Sequence, residues 1–84
     1  MQIYYFYHKQ SDSEYILEII DHDKETENAS IFVYKGRNPF ANGVERFLYS
    51  DHNARMNLDY FNEFSKPIPQ DREALNQALD YLFK

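Results

Sequence analysis

The chain has 84 residues, 43% of them hydrophobic and 18% aromatic, with 14 acids against nine Lys and Arg and no cysteine. That length allows one domain, residues 1–84, with one core, because a chain this short buries only about 60 to 65% of its unfolded surface. The hydrophobic content excludes disorder, the missing Cys excludes disulfides and thiolate or Cys-metal chemistry, and no apolar run approaches the roughly 18 residues of a membrane span.

Met1 to His8 (MQIYYFYH) is dense in residues that suit a pleated surface and reads as a first strand, broken by Lys9 to Ser13. Alternation sends Ile3, Tyr5 and Tyr7 to one face and Tyr4, Phe6 and His8 to the other, so both faces are aromatic. Glu14 to Ile20 is a second strand, with Glu18 set between Ile16 and Ile20 on one face, where it is expected to be partly buried. Asp21 to Asn28 turns the chain, and Ala29 to Lys35 forms a third strand closed by Gly36. The short connections favour antiparallel neighbours.

Gly36 to Gly43 is the clearest loop, because it contains Asn-Pro and Asn-Gly pairs, and Val44 to Ser50 resumes as a fourth strand. Ala54 to Tyr60 alternates apolar and polar residues, which favours a fifth strand paired through the Asp51-His52-Asn53 turn. Leu58, Phe61 and Phe64 recur at three-residue spacing, so the competing reading is a helix over 51–65. Pro67 and Pro69 end whatever precedes them. Asp71 then has the character of an N-cap with Glu73 in the first turn, and Leu75, Ala78, Leu79 and Leu82 follow at i, i+3, i+4 and i+7. The expected fold is α+β: a four- or five-stranded antiparallel meander with a C-terminal amphipathic helix, 71–83, on one face.

One helix covers one sheet face, so the second aromatic face needs the 51–65 segment, a second copy of the chain, or a partner. Tyr4 and Tyr5, on opposite faces, mark the surfaces through which a homodimer or partner would act.

Charge is unevenly placed. Residues 12–27 carry seven acids (Asp12, Glu14, Glu18, Asp21, Asp23, Glu25, Glu27) against Lys24, a balance of −6, while the rest of the chain carries seven acids and eight bases. A bland account makes this a solvated strand edge, where charge also blocks unwanted strand pairing. The sharper account makes Asp21, Asp23, Glu25 and Glu27 a spike for a basic protein, in the manner of small inhibitors carried by mobile elements or acting against defence systems. Phe40, with Arg37 nearby, either plugs the core or anchors a partner.

Other chemistries find little here. The Asp21-His22-Asp23 and Asp51-His52 pairs fall in turns and match no metal-ligand spacing, and two glycines give no phosphate cradle. His8, His22 and His52 have no identifiable nucleophile. An aromatic sheet can stack bases, but the net charge of −5 opposes phosphate, so no direct nucleic-acid contact is expected. The expected function is a non-enzymatic protein-binding module without cofactor or metal, acting in the cytoplasm and not on a membrane. Its most specific form is an inhibitor of a basic nucleic-acid-handling protein; the alternative is a small-ligand or nucleotide site, or a small enzyme, between sheet and helix.

Overall fold

The computed structural model of the chain describes the backbone of residues 1–23, 28–50 and 54–83 and the side chains of 1–22, 29–49 and 58–83. Four strands follow in sequence, β1 (Gln2–Gln10), β2 (Ser13–Asp23), β3 (Asn28–Lys35) and β4 (Arg46–Ser50). Helix α1 (Ala54–Phe64), strand β5 (Lys66–Ile68) and helix α2 (Arg72–Leu82) complete the chain. The sheet is antiparallel in the order β4-β3-β2-β1-β5, so the meander closes with a short strand on the free side of β1.

The expected fifth strand over Ala54 to Tyr60 is corrected: that segment is α1. Ala, Arg, Met and Leu suit a helix as well as the alternation suits a strand. What separates the two is the second sheet face, where Phe6, Leu17, Ile19 and Ile31 need cover that Leu58 and Phe61 supply from one side of α1. The helix stops where Ser65 bonds back to the Phe61 carbonyl at 2.8 Å and Lys66 precedes Pro67, which pushes the backbone into extended geometry. Pro67 cannot donate to a ladder, so it is tolerated in β5 because that strand is an edge, and Ile68, buried opposite Tyr5, pins it there.

Helix α2 follows its sequence reading closely. Asp71 is the N-cap, its carboxylate accepting from the Ala74 amide at 3.2 Å, and Leu75 and Leu79 are buried against Tyr5, Ile16 and Tyr34. The sheet therefore lies between two helices, with Ile3, Tyr5 and Tyr7 facing α2 and Tyr4 and Phe6 facing α1. Both faces of the central strands are covered by helices of the chain itself, and of the three covers the sequence leaves open for the second face it is the 51–65 segment that packs there, as α1.

Turn chemistry sets two other features. The β1–β2 hairpin turns through Ser11 at φ +56°, a left-handed conformation without glycine. At the same end of the sheet, Gly36 at φ +115° starts the loop that folds back over the α2 face, held by its amide on the Glu14 carbonyl at 2.9 Å.

Candidate functional site

Glu18 is the centre of a buried polar cluster on the α2 face. It is 6% exposed and accepts from Tyr5 Oη at 2.8 Å, Tyr34 Oη at 3.3 Å and Arg46 Nη1 at 3.2 Å. The pleat explains the meeting: Tyr5 is paired with Glu18 on one side, Phe32 on the other, and Tyr34 and Arg46 pair with each other one step along. Arg46 also lies over the Phe32 ring at 4.0 Å. Burial, followed by the hydrogen bond to Glu18, pushes the Tyr5 hydroxyl well above the ordinary phenol range, and burial raises Tyr34 too. Tyr5, Tyr34 and Arg46 all donate to the one carboxylate, and Arg46 also bonds Tyr34, so the cluster is an internal polar brace.

A second acid is taken by Arg37. Its Nε donates to Glu14 Oε2 at 2.7 Å while the guanidinium sits 4.8 Å from the centre of the Phe83 ring. Tyr7 adds a 3.3 Å bond to Glu14 Oε1, and the Arg37 hydrogen bond holds the Glu14 carboxyl below its usual value. Phe40 meets Tyr5 edge-on at 6.3 Å and lies under Arg72 at 4.9 Å, leaving it 36% exposed. Its ring lies against the end of the α2-side core, in the sense of the plug reading, and the neighbouring Pro39 is buried.

These contacts divide the acidic segment. Glu14 and Glu18 are matched by Arg37 and Arg46, and Asp21 is only 4% exposed, which removes it from any exposed spike. Asp12 is exposed, but at the opposite hairpin. Lys24, Glu25 and Glu27, the Asp23 side chain and the Asp51-His52 pair lie outside the described residues. Asp21 and His22 fall on opposite faces of β2, and His22 Nε2 is 3.0 Å from Ser30 Oγ. Among the described residues no three His, Asp or Glu side chains gather as metal ligands, and no helix is long and apolar enough to cross a membrane. Tyr5 is buried and Tyr4 is half-buried beneath α1, so neither stands at the surface as expected.

The exposed apolar surface lies elsewhere. Phe47, Leu48 and Tyr49 on β4 are 57%, 58% and 68% exposed, and Tyr60 and Phe64 on α1 are 52% and 60% exposed. A bulge near Tyr49 leaves that residue without a partner on β3. Between β4 and α1 runs a groove of about 290 Å³, lined by His8, Gln10, Tyr15, Leu17, Val33, Tyr49, Tyr60 and Phe61. Tyr60 packs on Phe64 at 4.7 Å and stands at 77° to Phe61 at 5.5 Å, which makes one corner of the groove aromatic on two sides. His8 is fixed by Ser65 Oγ, 3.0 Å from its Nδ1. Sequence reasoning missed this surface; its one signal was that Tyr60, Phe61 and Phe64 exceed what a single helix face can bury. Compared with known protein families, curated proteins and solved structures, the chain matches none.

Proposed function

We propose that this chain is a non-enzymatic protein-binding module, and in its most specific form an inhibitor or antagonist of a basic, nucleic-acid-handling protein, working in the cytoplasm. The observation that carries the reading is the run of exposed Phe47, Tyr49, Tyr60 and Phe64 along β4 and α1, because solvent-facing apolar side chains gathered on one flank mark interaction sites, with Tyr and Phe favoured at interface centres. The net charge of −5 supplies the bias toward a basic partner. Within the acidic turn the residues left for that role are Asp23, Glu25 and Glu27; Asp23 ends β2, about 25 Å along the strand from the groove-lining Tyr15, so a partner would meet it apart from the groove.

The test is binding of the full chain to the captured partner across a salt series, beside a variant with Asp23, Glu25 and Glu27 changed to Lys. The reading expects binding to weaken with salt and to fall steeply in the variant; equal binding by both would discard the charge component. A second reading, a small-ligand or nucleotide site, is favoured by the groove between α1 and the sheet, whose size is at the lower limit for such ligands. A thermal-shift screen with nucleotides and divalent metals decides it, since a ligand of the native state raises the melting temperature.

A further inference from the structure

We propose that the groove between β4 and α1 receives an arginine side chain of the partner, whose guanidinium stacks on the rings of Tyr15, Tyr49, Tyr60 and Phe61. The inference rests on the protein-binding reading for the source of the arginine, and on the groove itself for its chemistry.

The two sides of the sheet treat their aromatic rings differently. On the α2 side the chain caps its own rings with its own guanidinium groups: Arg46 over Phe32 at 4.0 Å, Arg37 over Phe83 at 4.8 Å and Arg72 over Phe40 at 4.9 Å. On the α1 side, four aromatic residues line the groove and, among the described residues that line it, there is no Lys or Arg. Aromatic faces carry partial negative charge and attract cations, so rings with no guanidinium over them among the described residues, in a chain of net charge −5, suit a cation brought from outside. The Tyr60 and Phe61 rings, 5.5 Å apart and nearly perpendicular, form two walls of an aromatic corner.

Size and polarity narrow the cation to arginine. A groove of about 290 Å³ takes one long side chain and not a cofactor. Guanidinium is planar and more weakly hydrated than an ammonium group, so it loses less on leaving water and stacks where ammonium does not. Its five N–H groups need acceptors, and the Tyr hydroxyls and the Gln10 amide oxygen on the groove wall are the right type.

The experiment titrates the full chain with N-acetyl-arginine amide and, separately, with its uncharged isostere N-acetyl-citrulline amide, following side-chain and amide resonances by NMR. The proposal expects saturable shifts of Tyr15, Tyr49, Tyr60 and Phe61 with the arginine compound in the millimolar range. Citrulline should bind at least about fivefold more weakly, and Tyr60→Ala should weaken arginine binding by about three- to fivefold while Tyr60→Phe retains it. Equal binding of the two compounds, shifts confined to the acidic turn, or no shift at all would each overturn it. Failure of the module reading is separate: it would appear as wild-type protein that captures no partner, whatever the groove does with arginine.

Discussion

Tyr5 donates its hydroxyl to Glu18 directly across the β1–β2 ladder at 2.8 Å, and both side chains are buried, Tyr5 with its ring against Phe40. A carboxylate in the core of so small a sheet is tolerated because Tyr5, Tyr34 and Arg46 all donate to it. Breaking such a network from one side costs more than the network contributes, since the remaining groups are left buried without partners. Tyr5→Phe is expected to lower stability by about 1–2 kcal/mol and Glu18→Ala by about 3 kcal/mol, in urea unfolding. The double variant should fall short of the sum by about 1–2 kcal/mol, the coupling of groups in contact. Strict additivity would mean that the hydroxyl and the carboxylate act independently.

The same cluster predicts behaviour in alkali. The phenols of Tyr5, Tyr7 and Tyr34 have folded-state pKa values above that of an ordinary tyrosine, from burial first and then from Glu18 or Glu14. A raised folded pKa adds stability that is fully present below the unfolded value of about 10 and is lost as pH climbs through the folded value. Absorbance titration should therefore show Tyr5, Tyr7 and Tyr34 ionising late, in a cooperative step with unfolding. Tyr5→Phe should shrink that late step. A single gradual titration of all eight would contradict the burial described.

Glu14 works in the opposite direction. The Arg37 hydrogen bond lowers its folded pKa, so the contribution of this pair is present above the unfolded glutamate value and disappears as pH falls through the folded one. In an NMR pH titration the Glu14 side chain should titrate below the ordinary range in wild type and return toward it in Arg37→Ala. The same substitution should loosen Phe83, over which Arg37 lies.

Much of this fold is legible from local signals. The cap and leucine spacing of α2 agree with each other, and the first three strands are separated by unmistakable turns. Glu18 is legible as well, because a charge between Ile16 and Ile20 on one face demands burial with partners. Its partner Arg46 is not, since nothing in Val44 to Ser50 distinguishes an arginine that turns inward. Helix α1 is ambiguous in the sequence because over Ala54 to Tyr60 the periods of strand and helix both fit, and the arbiter is an open sheet face far away in sequence. Strand β5, three residues beside two prolines, is too short to leave any periodic trace. The groove required knowing which side of α1 faced the sheet.

Ser11 offers a check on the backbone that is independent of the core. At φ +56° a residue with a side chain is in a strained region, and Asn and Gly adopt it more readily. Ser11→Asn or Ser11→Gly should raise stability by about 0.5–1 kcal/mol, and a β-branched Val there should lower it by about 1–2 kcal/mol. Thermal melts of the three variants test this, and no difference between Asn and Val would rule out the left-handed turn.

The central claim is that the β4–α1 flank is where this protein meets its partner. The direct measurement is quantitative affinity capture from the native host with wild-type chain and with a Tyr49→Ser, Tyr60→Ser, Phe64→Ser variant, all three positions being more than half exposed. Wild type is predicted to retain one protein in near-stoichiometric amount, and the variant, with unchanged circular dichroism, to lose it by at least about tenfold, the effect of removing aromatic anchors. Retention of the same protein at the same level by the folded variant would contradict the account.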